Sequence, residues 1–366
     1  MRVLQVITSG EAGGAQSHVL ALCRAIAGQV DLTAAIGGMK DTSVLGDELR
    51  KLGIEVHHLP ELRNSTSPFA MLRAARAIGA QVQRHGPDIV HAHSSFAGAA
   101  ARIAAHRCGV PCVYTVHGFG FKPQARPLVR EAAWIGETLL APWTSHMICV
   151  SRHEAALARS LPFAPQAISV VANGLPDVSQ RADPAVEPAR VVTVARLAAP
   201  KRVDLLLQAL SLLPQAPATS VIGDGPDRAL LQAQADQLGV RNVGFPGSVS
   251  DVPERLATHA IFVLLSDHEG MPISILEAMR AGLAIVASRL PGIEETVTHG
   301  ESALLVENDP KAVAEAISML QVDAALRTRL GRAARARFER DFESRSMARR
   351  VLDIYRSVPA PRERHA

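Results

Sequence analysis

The sequence predicts an α/β protein built from two Rossmann-like, doubly wound parallel-sheet domains in tandem. Three observations predict it. Short apolar runs alternate with helical patterns through the first half of the chain. The same alternation restarts after a polar, proline-containing stretch at 179–187. The chain has 366 residues, of which 48% are hydrophobic, enough for two separate cores. Strand–helix alternation of this kind gives parallel sheets covered by helices on both faces. Two such domains are expected to face one another across a cleft lined by strand C-termini, the usual ligand crevice of such sheets.

Taken in order, strands are expected in the first half at 3–8, 32–36, 56–59, 89–93, 112–117, 147–150 and 168–171. Helical patterns fall between them, for example at 16–27, 68–85 and 96–107. The segment 179–187 has no periodicity and contains Pro184, so it reads as a linker between a domain at 1–178 and a domain at 188–343. In the second half strands are expected at 191–195, 219–223, 243–245, 261–265, 284–287 and 303–306, with helices at 203–213, 228–238 and 311–320. A charged helix at 344–357 carries Met347, Val351, Leu352 and Tyr355 on one face.

Composition excludes several classes. The net charge is +4, and the excess lies in residues 1–180, with 16 basic against 12 acidic side chains and ten of the fourteen histidines. That balance favours an anionic partner or an anionic membrane surface on the first domain. There is no dense basic stripe with interleaved aromatics, so nucleic acid is not an expected partner. Cys23, Cys108, Cys112 and Cys149 show no second pair at metal-ligand spacing and read as reduced core thiols of a cytoplasmic protein. The run Met1–Ile7 reads as a strand rather than a leader, and no stretch of eighteen apolar residues occurs, so no membrane span is expected.

The chemistry concentrates around Glu269 and Glu277, eight positions apart. The apolar run 261–265 reads as a strand and 273–281 as a helix, so Glu269, Gly270, Met271, Pro272 and Ile273 span a strand-to-helix junction. Free backbone N–H groups and the positive helix end favour an anion there. A bare acid repels phosphate, so Glu269 is expected to face sugar hydroxyls while the amides take the phosphate. Glu277, about one turn into the helix, is placed to accept from ribose hydroxyls. Upstream, Arg196 ends a strand and Lys201 stands at a helix start. A planar guanidinium and a compact ammonium suit a diphosphate. A cation opening a helix opposes the macrodipole by about 0.3–1 kcal/mol unless an anion is bound. No Asp-x-Asp metal-diphosphate motif occurs.

These words, Glu269-Gly270-Met271-Pro272 with Ile275-Leu276-Glu277-Ala278-Met279, Gly282 and Pro291-Gly292-Ile293-Glu294-Glu295, resemble the E-x7-E signature of retaining glycosyltransferases. More narrowly, the chain resembles glycosyltransferase family four, the glycosyl transferases group 1 superfamily, over nearly its whole length. The resemblance implies a GT-B fold whose last helix, here 344–366, joins the first domain. It makes Arg196-x4-Lys201 the phosphate site and places the Gly13-Gly14 loop against the donor diphosphate. It places Gly225, in a Gly-x-Gly-Pro turn, near the nucleotide base. By the same resemblance His117, in Thr115-Val116-His117-Gly118-Phe119, reaches the transferred sugar. Bland readings stand beside these: a tight turn for Gly13 and Gly14, and a core or capping residue for His117.

Phe119 and Phe121 are expected to form an acceptor-side wall or a lipid-facing surface. His91 and His93 flank Ala92, but no acid lies at ligand spacing, so no metal site is expected there. Asn173 reads as a turn residue through its tolerance of left-handed backbone. The expected function is transfer of a sugar, with retention, from a nucleotide-diphosphate donor, most simply UDP-linked. The expected acceptor is a glycan or a polyprenyl-diphosphate-linked saccharide. Glu269, Arg196, Lys201 and His117 carry the chemistry, with no metal or other cofactor. A nucleotide-sugar epimerase of the same fold and a non-catalytic nucleotide-sugar-binding protein are the alternatives.

Overall fold

The structure, a computed structural model, describes residues 1–11, 13–38, 42–65, 67–121, 127–161 and 167–360. The chain divides into two compact units. One comprises Met1–Gly174 together with the chain from Ser344 onward, and the other comprises Leu175–Glu343.

The first unit holds a seven-stranded, wholly parallel sheet. Its strands are β1 (Arg2–Ile7), β2 (Asp31–Gly37), β3 (Glu55–Leu59), β4 (Ile89–His93), β5 (Cys112–Val116), β6 (His146–Cys149) and β7 (Ile168–Val170). The spatial order is β3-β2-β1-β4-β5-β6-β7. The winding therefore reverses between β1 and β4, which opens a crevice at their C-terminal ends. The central strands β4, β5 and β6 are buried at every residue, as strands covered on both faces are, and they carry His91, His93, Thr115 and His146 into that interior on hydrogen bonds.

The helix Ser95–Cys108 lies over this sheet through Ala97, Ala100, Ala101, Ala104 and Ala105, all buried. Small residues there let the helix backbone approach the sheet closely. A side chain at Gly98 would strike the Tyr114 ring. The helix Pro68–His85 has the start and stop signals its sequence shows. Ser67 Oγ accepts from Ala70 N–H at 3.4 Å, proline occupies the first turn, and Gly86 ends it at φ 54°.

The second unit holds a six-stranded parallel sheet. Its strands are β8 (Val191–Val194), β9 (Thr219–Ile222), β10 (Val243–Gly247), β11 (Ile261–Leu264), β12 (Ala284–Ser288) and β13 (Leu304–Val306), in the order β10-β9-β8-β11-β12-β13. Its crevice lies where the winding reverses, between β8 and β11. Phe262 and its strand neighbours are fully buried, each such side chain contributing about 1.5–3 kcal/mol.

The segment 179–187 is irregular, as expected, but it is not a free linker. Ala182 N–H donates to Ala281 O at 2.9 Å. Arg327 is fully buried and donates through Nε to Pro184 O at 2.6 Å, and it forms an ion pair with Glu187. A buried guanidinium needs acceptors for its fixed fork of donors, and this irregular backbone supplies them.

The helix Ser344–Ser357 packs in the first unit against the helix Gly14–Ile26, burying Met347, Val351, Leu352, Ile354 and Tyr355. Residues 361–366, expected as part of that final helix, lie outside the described residues. Phe119 and Phe121 are a correction. They are 2% and 6% exposed and pack on each other with ring centroids 4.5 Å apart, inside the apolar core of the first unit. Glu154 holds that turn inward by accepting from Phe119 N–H at 3.0 Å. Among the exposed apolar side chains of the first unit are Leu128, Val129, Ile135 and Leu139, further on in the helix Pro127–Leu140. No helix of the described residues is long and apolar enough to cross a membrane. Cys23, Cys112 and Cys149 are buried free thiols and Cys108 is partly buried.

Candidate active site

In the second unit the loops after β8 and β11 meet at the switch point. Arg202 N–H donates to Leu265 O and Asp267 N–H to Pro200 O, both at 2.9 Å. Lys201 and Ser266 form an isolated antiparallel bridge between the loops. This stitching brings Lys201 Nζ onto a carboxylate oxygen of Glu269 as an ion pair between two mostly buried side chains. Arg196 lies two residues beyond β8 and is exposed, with no side-chain partner among the described residues. Arg202 is tied instead to Asp204 and, at 3.1 Å, to Asp267.

The helix Ile273–Ala281 begins where the sequence predicts. Its N-cap, Pro272, makes no side-chain capping bond, so no side chain competes for the first amides. Gly270, Met271, Pro272 and Ile273 are all buried and line the junction. Glu277 is half-buried one turn in. Desolvation pushes its carboxyl up from 4.5 to about 7, with the Arg280 charge opposing. Near neutral pH its charge is therefore finely poised.

Sequence reasoning missed the residues that hold this site in shape. Ser266 N–H donates to Ser288 Oγ at 2.9 Å, Ser288 Oγ donates to Asn308 Oδ1, and Asn308 Nδ2 returns to Ser266 O at 2.9 Å. This ring fixes the chain just past β11 against the end of β12 and the loop after β13. A Cβ on Gly292 would overlap the Glu269 and Gly270 carbonyls, so that glycine lets the following segment press on the glutamate loop. The signal was in the text, since Pro291-Gly292 belongs to the quoted motif. Gly225 likewise has a packing reason. A Cβ there would overlap the Leu197 carbonyl, and Leu197 N–H donates to Asp224 O at 2.9 Å. The Gly223-Asp224-Gly225 turn thus braces the loop that carries Arg196.

In the first unit Gly13 and Gly14 are exposed at the N-terminus of the helix Gly14–Ile26. Gly13 has extended backbone, so its value lies in lacking a side chain rather than in an unusual φ. Gln16 Nε2 donates to Ser9 O at 2.8 Å and braces the turn; Ala12 lies outside the described residues. His117 stands just past β5 and is half-buried, its Nε2 3.4 Å from His93 Nδ1. Burial first, then the neighbouring His18 and His91, hold it well below the usual histidine range. It is therefore a neutral imidazole at physiological pH, able to bond a hydroxyl in either direction.

His91 is engaged on both ring nitrogens, by Tyr355 Oη and Thr115 Oγ1. Asn173 is not a left-handed turn residue; Ser94 is the one non-glycine with positive φ among the described residues. Asn173 is instead buried and hydrogen-bonded to His18 Nδ1 at 2.9 Å. Ser94, at φ 68°, follows β4 at the crevice and bonds Thr8 Oγ1. Its left-handed backbone is not visible in the sequence.

Comparison with known proteins agrees with this layout. Residues 13–174 match the model of the glycosyl transferase 4-like domain, and residues 177–337 that of glycosyl transferases group 1. The chain is 28% identical over 313 residues to the Escherichia coli UDP-Gal:alpha-D-GlcNAc-diphosphoundecaprenol alpha-1,3-galactosyltransferase, covering 78% of this chain and 80% of that protein. It is 29% identical over 342 residues to the alpha-maltose-1-phosphate synthase of Mycolicibacterium smegmatis, covering 83% and 87%. In fold it matches Anabaena HepE in complex with UDP-glucose, with a TM-score of 0.85 at 20% identity over 98% of this chain and 100% of that one. Sucrose-phosphate synthase from Thermosynechococcus elongatus matches with a TM-score of 0.84 at 19% identity, over 97% and 98%. Between them the two family models account for both units, and the chain is a GT-B glycosyltransferase whose second unit belongs to the glycosyl transferases group 1 family.

Proposed function

We propose that this protein transfers a sugar from a UDP-sugar, with retention, to a polyprenyl-diphosphate-linked saccharide or related glycan of the cell surface. The observation that carries the reading is the meeting of Lys201 and Glu269 at the second unit's switch point, with the exposed Arg196 on the adjoining loop. A departing diphosphate develops negative charge, and preorganised cations and amides at that place stabilise it selectively. In this mechanism Arg196 and Lys201 take the diphosphate together with the amides at the start of the helix Ile273–Ala281. No metal is asked to supply that charge. Glu269 orients the donor sugar and Glu277 accepts from the ribose. The bond from the anomeric carbon to the diphosphate oxygen breaks. The acceptor oxygen bonds that carbon on the same face, and its proton passes to the departing diphosphate. His117 hydrogen-bonds the sugar.

The donor and acceptor classes draw on the E. coli relative, whose name specifies UDP-Gal and a diphosphoundecaprenol-linked sugar. An acceptor of that kind sits in a bilayer. The exposed Leu128, Val129, Ile135 and Leu139 of the helix Pro127–Leu140, on the more basic half of the chain, suit a peripheral contact with an anionic membrane. Sedimentation with liposomes that shows no dependence on anionic lipid would remove that part of the proposal.

The main test is UDP release from a panel of UDP-sugars, with and without a polyprenyl-diphosphate-linked saccharide, for wild type and Lys201→Ala. Release that requires acceptor and collapses in the variant is the expected result. Acceptor-independent isomerisation of the donor would instead mark an epimerase, and donor binding without turnover a binding protein.

A further inference from the structure

Three histidines from separate elements converge at the crevice of the first unit. His18 lies in the helix Gly14–Ile26, His93 ends β4, and His117 follows β5. One ring nitrogen from each lies within 4.8 Å of the other two. His93 Nδ1 and His117 Nε2 are 3.4 Å apart. Two imidazole nitrogens on a tetrahedral zinc ion, each bonded at about 2.0–2.1 Å, stand about 3.3–3.4 Å apart. That pair is already at ligand spacing, and the third nitrogen needs to move by roughly an ångström and a half at most, which small side-chain rotations supply.

The outer partners fix which nitrogens carry lone pairs. Asn173 Oδ1 accepts from His18 Nδ1 at 2.9 Å, leaving the His18 lone pair on Nε2. Gln5 Oε1 accepts from His93 Nε2 at 2.9 Å, leaving the His93 lone pair on Nδ1, the atom that faces His117. The orientation of the Gln5 amide is set in turn, because its Nε2 donates to Tyr355 Oη at 3.1 Å. Amide oxygens bonded to the far ring nitrogen are the usual outer support of metal-bound histidine. His18 Nε2 is buried and has no hydrogen-bond partner among the described residues, and the His18 ring centroid lies 5.4 Å from that of His93 and 4.8 Å from that of His117.

We propose that His18 Nε2, His93 Nδ1 and His117 Nε2 form a binding site for a divalent transition-metal cation of the zinc class, with a fourth position open to water or an anionic oxygen. His117 then carries its proton on Nδ1. The three ligands are uncharged, so the ion keeps its full charge and favours an anionic fourth ligand. His91, the neighbour that the sequence sets beside His93, is not a ligand, since both of its nitrogens are engaged elsewhere. Binding at this site is distinct from any need for metal in sugar transfer. Occupancy withdraws His117 from the sugar and slows transfer, a consequence that rests on the function proposed above; the binding itself does not.

The test uses the full chain, stripped of metal by dialysis against a chelator and titrated with Co2+. A nitrogen-rich tetrahedral site gives visible d–d absorption, which Zn2+ then abolishes by displacement. Wild type is expected to bind one Co2+ with this band. His18→Gln and His117→Gln are expected to lose the band or weaken binding at least tenfold, with far-UV circular dichroism unchanged. His57→Gln is the control, because Glu55, His57 and His85 form a second, more exposed cluster, in which a Glu55 carboxylate oxygen lies 3.2 Å from His57 Nε2. His57→Gln is expected to keep the band. No band in wild type, a band that survives in both His18→Gln and His117→Gln, or a band lost only in His57→Gln would each overturn the proposal. Measuring both His18→Gln and the less buried His117→Gln keeps the outcome decisive if one variant fails to fold.

Discussion

Lys201 and Glu269, 68 residues apart in sequence, meet as an ion pair at the crevice of the second unit. The sequence assigns them to different parts of a donor, the lysine to the diphosphate and the glutamate to the sugar. In the ligand-free protein each neutralises the other. The cation next to a helix start thus has its anion before any phosphate arrives, and the macrodipole cost is offset.

This pairing separates two effects that a simple loss of activity would blur. Lys201→Ala is expected to lower kcat/KM by about 100- to 1000-fold, the usual effect of losing one preorganised group that stabilises developing charge. Glu269→Ala is expected to bind UDP alone at least as tightly as wild type, because the carboxylate no longer competes for Lys201. Its transfer rate is nevertheless expected to collapse. Calorimetric titration with UDP, set beside initial rates, checks both.

Glu277 gives the second unit a pH signature. Its folded-state value, raised from 4.5 to about 7, means that the folded protein holds a proton which the unfolded chain has released across that window. Stability relative to Glu277→Gln therefore falls as pH rises from 4.5 to about 7, by on the order of 1.4 kcal/mol per pH unit. A ribose hydroxyl that donates to the carboxylate favours the ionised form, so UDP binding near pH 6.5 is expected to release protons. Titrations in buffers of different ionisation enthalpy measure that release, which Glu277→Gln should abolish.

Four clustered histidines of the first unit, His18, His91, His93 and His117, respond in the opposite direction. His18 is lowered from 6.5 to about 4, and His91, His93 and His117 are lowered as well, chiefly by burial. The unfolded chain binds protons below 6.5 that the folded unit refuses, so stability is lost as pH falls through that range. His18, lowered to about 4, contributes up to roughly 1.4 kcal/mol per pH unit between 6.5 and that value. Denaturant midpoints between pH 7.5 and 5 should fall steeply for wild type and less so for His18→Gln.

Gly292 is a structural test of the active loop. A Cβ there overlaps the carbonyls of Glu269 and Gly270, so Gly292→Ala must push the glutamate loop away from its place. The expected cost in stability is about 1–3 kcal/mol, with a loss of transfer activity larger than that of a stability-matched core variant. Thermal denaturation and initial rates measured together distinguish displacement of the loop from general unfolding.

Tyr355 anchors the last helix to the sheet of the first unit. It accepts from Gln5 and bonds His91, all three groups buried. Tyr355→Phe leaves both partners short of a hydrogen bond and is expected to destabilise that unit by about 1–3 kcal/mol. Chemical denaturation at neutral pH provides the comparison.

The sequence by itself determined the two parallel sheets, the strands of the described residues and the start of the helix at Ile273, because strands buried on both faces, such as β8, β11 and β12, are written largely in apolar residues. It also put forward Glu269, Glu277, Arg196 and Lys201 as site candidates, from their places at or beside strand-to-helix junctions together with their resemblance to the E-x7-E and Arg-x4-Lys patterns. Only the tertiary structure decided what each residue meets. Phe119 and Phe121, which look lipid-facing in a glycine-rich loop, are core, because Glu154 draws their turn inward. The stretch 179–187 looks like a linker but packs in the second unit, because Arg327 is buried and needs its carbonyls. The convergence of His18, His93 and His117, and the Ser266-Ser288-Asn308 ring beneath Glu269, join residues that are remote in sequence. Local patterning reports which face of an element is buried. Which distant side chains share that burial depends on strand order and winding, and that is set by the packing of the whole sheet.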